Sequence, residues 1–328
     1  MGTASDDDWA EWVAHNLAHD VPAVKLEAEL GKNGYTAENA AALVANIRAT
    51  PAYRAAERIA RDLNKWTTLC EVLLDLEKEV YPFDRIPRVS APSEAEFVEK
   101  YYATNRPVII EDVVSQWPAC QRWSLDFLKD HFGAETVRFQ KRTGSGDHRE
   151  AFVDRTRSAT LAEYIDLIRS EEGKDCYLIA HDRLLDKPAF RPLFEDLPFD
   201  DRYFDVKKVV GRTFLWVGPP GSTTPMHRDL GNVYFAQISG EKRVKMVPSK
   251  QLHLVYNETG YHSDVDFSSP SLTDFPLLKN AMIMDEIIKP GELLFIPVGW
   301  WHWVQSLDPT MTVTGSNFKF RNTFTEIF

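Results

Sequence analysis

From Arg212 onward the chain is cut into short apolar or alternating runs: RTFLWVG, NVYFAQIS, KRVKMVP, ELLFIPV, WHWVQSL and MTVTGSN. Gly- and Pro-containing turns separate several of them. Alternation sends successive side chains to opposite faces of a sheet, so each run reads as a strand. Many short strands in succession predict a jelly roll, a double-sheet barrel that can hold a site in its mouth. The expected class is therefore mainly β with α (α+β).

The first eighty residues read as helical. Asp6 to Asp8 can cap a first helix that carries Trp9, Trp12, Val13 and Leu17 on one face. Pro22 suits the first turn of a second helix, and Gly34 its exit. Thr36 can cap a third helix that ends before Pro51. A longer helix, about Tyr53 to Val80, follows, with Ala56, Ile59, Leu63, Trp66, Cys70 and Leu73 spaced by threes and fours. Such a seam needs cover, either from the rest of the chain or from a second copy in a homodimer, and cover within the chain is the expected arrangement. Pro82, Pro87 and Pro92 then break the pattern. They divide the chain into a helical domain, residues 1–80, and a second domain, residues 81–328.

Charge narrows the partners. With 38 basic and 49 acidic residues the net charge is -11, which argues against non-specific nucleic-acid binding. No apolar run approaches 18 residues, so no spanning helix is expected. The N-terminus lacks a basic segment followed by an apolar stretch. Cys70, Cys120 and Cys176 are far apart and form no CxxC pair. Neither a zinc site nor a disulfide framework is indicated, and reduced thiols in a cytoplasmic protein are expected.

The chemistry concentrates at Thr224-Pro-Met-His-Arg-Asp229. Residues at i and i+2 of a strand project to one face, so His227 and Asp229 can point together into a barrel. His302, opening a late strand in Gly299-Trp-Trp-His-Trp-Val304, can supply a third ligand. Two imidazoles and one carboxylate on one face of an octahedral metal leave other positions open, the pattern of non-haem Fe(II) oxygenases. A second HxD match, His262-Ser-Asp264, lies in the polar stretch Tyr256 to Asp274 with no strand evident beside it, so the first is preferred. Lys242, at the start of the strand after the Ser239-Gly240 turn, needs an anion if it faces a dry interior. A solvated surface lysine is the other reading.

At these residues the sequence resembles the JmjC-domain hydroxylases of the cupin superfamily. The stretch TTPMHRDLGNVYFAQISGEKRVKMVPS is similar to the region around HxD in JmjC arginyl hydroxylases and in the asparaginyl hydroxylase that inhibits the hypoxia-inducible factor. The similarity covers most of Val89 to Asn317, including Asn105-Arg-Pro-Val-Ile-Ile110, Trp117-Pro118, Trp123-Ser-Leu125 and Pro290-Gly-Glu-Leu-Leu-Phe-Ile-Pro297. The resemblance implies a double-stranded β-helix with His227, Asp229 and His302 as iron ligands. It further implies that Lys242, Thr224 and Tyr177 hold the distal carboxylate of 2-oxoglutarate, and that Trp216 lines the substrate side. Fe(II), 2-oxoglutarate and O2 are the implied cofactor and co-substrates.

Two positions depart from the pattern. Val233 stands where family hydroxylases often have asparagine, with Asn232 one residue early, a shift that reverses the face on a strand. Gln140 stands roughly where the arginyl hydroxylases would suggest an acidic side chain. The expected activity is hydroxylation of an amino-acid side chain in a protein or peptide. N-methyl-lysine demethylation uses the same chemistry, but the chain shows none of the zinc-binding cysteine clusters that often accompany it. Oxidation of a small molecule and a non-catalytic cupin-like binding role are the remaining readings.

Overall fold

A computed structural model of the chain describes residues 5–18, 21–81, 83–141, 155–257 and 260–324. Two compact units divide between Val80 and Tyr81. Pro82, one of the three prolines expected to break the helical pattern, lies outside the described residues.

The first unit contains α1 (Asp6–Ala18), α2 (Ala23–Lys32), α3 (Ala37–Ala49) and α4 (Pro51–Lys78). Apolar residues three or four apart, such as Leu26 with Leu30 and Ala40 with Val44, put one stripe of each helix into a core with Val13, Leu17 and Tyr53. Thr36 caps α3 as expected, accepting from Asn39 N–H at 3.2 Å. Three local details differ. Ser5 rather than Asp6 to Asp8 caps α1, its hydroxyl accepting from Asp8 N–H while the Asp8 carboxylate accepts from Ser5 N–H. Pro22 is the residue before α2 rather than within its first turn. The helix expected from Tyr53 starts at Pro51, because Thr50 accepts from Tyr53 N–H at 3.1 Å and the proline occupies the first turn, where its missing N–H costs nothing. The core of the first unit leaves the α4 seam outside it. Ile59 is 63%, Leu63 60% and Trp66 67% exposed.

In the second unit a helical and mixed region comes first: β1 (Arg88–Val89), α5 (Glu94–Phe97), β2 (Val108–Ile110), α6 (Pro118–Arg122), α7 (Leu125–Phe132), β3 (Thr136–Lys141), β4 (Thr156–Thr160), α8 (Leu161–Ile168) and β5 (Cys176–Tyr177). The barrel strands follow: β6 (Thr213–Gly218), β7 (Thr223–Arg228), β8 (Val233–Ser239), β9 (Lys242–Val247), β10 (Met284–Ile288), β11 (Leu293–Ile296), β12 (Trp301–Ser306) and β13 (Thr310–Gly315). One sheet has the order β1-β2-β11-β8-β13-β6 and a second has β10-β9-β12-β7. A third, small sheet has the order β4-β3-β5. Apart from the parallel β1–β2 pair, the named strands pair antiparallel.

Alternation sorts the side chains into layers. Along β8, Tyr234, Ala236 and Ile238 join the core shared with α7 and α8, while Phe235 faces Val244, Met246, Leu294 and Val304 between the two large sheets. Along β12, Trp301 and Trp303 pack outward with Met226, Val265 and Phe267, leaving His302 and Val304 on the inner side. This is the expected jelly roll.

Candidate metal centre

The pairing of β7 with β12 sets the site. His302 lies opposite His227 and Val304 opposite Thr224, so β7 advances three residues where β12 advances two. The extra residue is a bulge. It brings Thr224 and His227 to one face despite their odd separation. Asp229 follows directly after β7, where its carbonyl accepts from Gly299 N–H at 3.1 Å. The buried Asn232 side chain accepts from Val298 N–H at 2.8 Å. Two hydrogen bonds thus clamp the 297–299 turn that delivers His302.

The candidate ligand atoms of His227, Asp229 and His302 all lie within 4.8 Å of one another. His302 Nε2 is 3.6 Å from Asp229 Oδ2, and the two imidazole centroids are 4.1 Å apart. Each ring is fixed by a backbone carbonyl: His227 Nδ1 is 2.8 Å from Pro225 O, and His302 Nδ1 is 3.1 Å from Trp300 O. A carbonyl can only accept, so each Nδ1 carries the proton and each Nε2 presents a lone pair. Burial, and then the neighbouring His302, push the His227 pKa down to about 4, which keeps its imidazole neutral and able to ligate. Two imidazoles and a carboxylate fit a divalent iron and leave room for further ligands.

A second cluster supplies positive charge. Lys242 is 1% exposed and its Nζ donates to Tyr177 Oη at 2.8 Å. The Thr224 hydroxyl lies close to that of Tyr177. The ammonium lies 5.3 Å from the Phe235 ring centroid and 5.4 Å from that of Tyr177. No carboxylate of the described residues pairs with it, and burial lowers its pKa to about 7. The surface-lysine reading is therefore wrong. Burying a cation without a nearby anion is costly.

The Tyr177 ring is held against a glycine. A Cβ on Gly218 would lie 2.6 Å from the Tyr177 ring and 2.9 Å from Ser222 Oγ. Gly218→Ala is expected to lower stability by about 1–3 kcal/mol through overpacking. It should also displace the ring from Lys242. Calorimetric titration with 2-oxoglutarate checks the second effect, expected as a loss of affinity larger than the shift in thermal stability would explain.

The cupin-like domain family matches residues 93–326, most of the second unit. The chain belongs to this family. Similar proteins include lysine-specific demethylase 8 of Xenopus tropicalis, 28% identical over 70% of this chain and 52% of that protein. Lysine-specific demethylase JMJ30 of Arabidopsis thaliana is 30% identical over 70% of this chain and 54% of its own length. Arginine-specific demethylase JMJ20, from the same plant, is 28% identical over 67% of this chain and 54% of its length. The chain thus spans about half the length of these relatives.

Within this cupin-like domain the remaining candidates separate clearly. Trp216 lies 5.6 Å, centroid to centroid, from Tyr177, and its Nε1 donates to Thr314 Oγ1 at 2.7 Å. It therefore borders the Lys242 cluster. Gln140 is paired opposite Tyr177 on the small sheet, with its amide donating to Thr156 Oγ1 at 2.8 Å. The second HxD match does not form a ligand set among the described residues. Its surroundings nevertheless differ from the isolated polar stretch expected. His262 forms an antiparallel bridge with His227, and the rings stack at 5.8 Å. Arg228 N–H donates to Tyr261 O and Ser263 N–H to Met226 O, so residues 261–263 extend the β7 edge. Sequence reasoning also missed Asn232 as a positioning residue, having weighed it only as the family asparagine displaced by one residue. No local pattern shows that it reaches Val298.

Proposed function

We propose that the chain is an Fe(II)- and 2-oxoglutarate-dependent oxygenase that hydroxylates an amino-acid side chain of a protein or peptide. One observation carries this reading: an open His-Asp-His ligand set lies in the same barrel as a buried lysine that lacks a carboxylate partner among the described residues. His227, Asp229 and His302 would hold the iron, and Lys242, Tyr177 and Thr224 the distal carboxylate of 2-oxoglutarate. Bound iron would supply the oxidising chemistry that converts 2-oxoglutarate and O2 to succinate and carbon dioxide, with one oxygen atom inserted into a substrate C–H bond. The chain's own contribution is placement: two fixed imidazoles, a clamped turn and an apolar barrel that excludes water. Nothing in this scheme needs a side-chain general base.

A second reading, oxidative demethylation of an N-methylated lysine or arginine, is favoured by the names of the relatives. It needs the same site and differs only in which carbon is presented, because a hydroxylated N-methyl group leaves as formaldehyde. Mass spectrometry of peptides incubated with enzyme, Fe(II) and 2-oxoglutarate separates the two. A stable gain of one oxygen atom is the expected result. Loss of a methyl group with stoichiometric formaldehyde would replace hydroxylation by demethylation.

A further inference from the structure

Helix α4 carries a face that the core of its own unit does not use. Ile59, Leu63, Trp66, Leu69, Leu73 and Leu76 are 41–67% exposed, whereas Tyr53 at the start of the helix is buried in that core. Along the seam the steps from Ile59 to Leu63, Trp66, Cys70 and Leu73 alternate four and three, the repeat that lets two helices interlock side chains. Glu77 interrupts the repeat and Val80 resumes it. At 1.5 Å per residue the seam runs about 32 Å, long enough for a helix-to-helix interface. Contiguous apolar surface of this kind on a folded unit marks an interaction site.

Charge selects the occupant. Between Arg54 and Lys65 the helix holds Arg54, Arg58, Arg61 and Lys65 against Glu57 and Asp62, a basic half. Between Glu71 and Glu79 it holds Glu71, Asp75, Glu77 and Glu79 against Lys78, an acidic half. A second copy of the same helix laid antiparallel places the basic half of each against the acidic half of the other. A parallel copy would set like charge on like. The isologous pairing is self-complementary by the same two-fold operation. The geometry points to a homodimer formed by α4 against α4 of a second copy, antiparallel, with the two-fold axis between Trp66 and Leu69.

Sedimentation velocity and light scattering on the full chain should show twice the chain mass. Trp66→Glu, at an exposed position outside the helical core, should weaken the dimer on the order of a hundredfold or more while leaving the far-ultraviolet spectrum unchanged. Arg58→Glu with Arg61→Glu should also weaken it, and adding Glu71→Arg and Asp75→Arg to the same chain should restore it. A chain that stays monomeric at high micromolar concentration overturns the proposal. So does a dimer indifferent to Trp66→Glu, or one indifferent to the charge reversals. A monomer whose Trp66→Glu variant loses only affinity for a peptide substrate would make α4 a substrate-docking helix instead. None of these readouts uses turnover, so failure of the oxygenase reading leaves the test intact.

Discussion

His227→Ala and Asp229→Ala are each expected to abolish Fe(II)-dependent conversion of 2-oxoglutarate to succinate, with and without a prime substrate. Partners that merely orient a metal ligand are worth about 10- to 100-fold in affinity or activity, so loss of a ligand itself should exceed that. His262→Ala is the informative control. His262 stacks on His227 at 5.8 Å and pairs with it through the backbone, yet it lies outside the ligand set. Its removal should leave succinate formation close to that of the unmodified chain. Metal binding can be read separately from turnover by titrating the apo-protein with Mn(II) under exclusion of iron. Undiminished Mn(II) affinity in both ligand variants, or a loss confined to His262→Ala, would move the centre away from His227, Asp229 and His302.

The second large effect concerns Lys242. Deleting the ammonium by Lys242→Ala removes a charge-assisted bond in a dry site, worth about 1.5–3 kcal/mol, or roughly 10- to 100-fold in 2-oxoglutarate affinity. Its pKa adds a sign that a surface lysine could not give. Burial holds the free protein's Lys242 at about 7, and a bound carboxylate would raise it again. Binding above pH 7 must therefore take up a proton, and affinity should fall by up to about tenfold per pH unit as pH rises beyond 7. Calorimetry in buffers of different ionisation enthalpy measures that uptake directly. Stability of the free protein should run the opposite way. The unfolded lysine, with its ordinary value of 10.5, binds more proton than the folded one between about pH 7 and 10.5, so this group's destabilisation fades as pH rises through that window. Lys242→Met should accordingly stabilise the free protein more at pH 6 than at pH 9. A Lys242→Ala affinity for 2-oxoglutarate equal to that of the unmodified chain at both pH 6 and pH 9 would remove the anion site from this place.

Much of this protein is written in local pattern. The strands β6, β8, β9, β11, β12 and β13 follow the apolar runs closely, because period-two alternation is a property of adjacent residues. The inward set His302, Val304 and the outward set Trp301, Trp303 are separable for the same reason. The helical first unit, with its Thr36 cap, is equally local in origin. Local pattern cannot fix the offset between strands. The extra residue in β7 puts Thr224 and His227 on one side, and only the β7–β12 register reveals it. Tyr177 reaches Lys242 from 65 residues away, and Asn232 clamps Val298 from 66. His262, whose sequence neighbours read as a polar stretch with no strand evident beside it, lies beside His227 because β7 is at the edge of its sheet. The seam on α4 was plain in its spacing, but that the core of its own unit leaves it out depended on packing. Periodicity states which face of an element is apolar. What meets that face is decided by contacts between residues far apart in the chain, and those the tertiary structure alone determines.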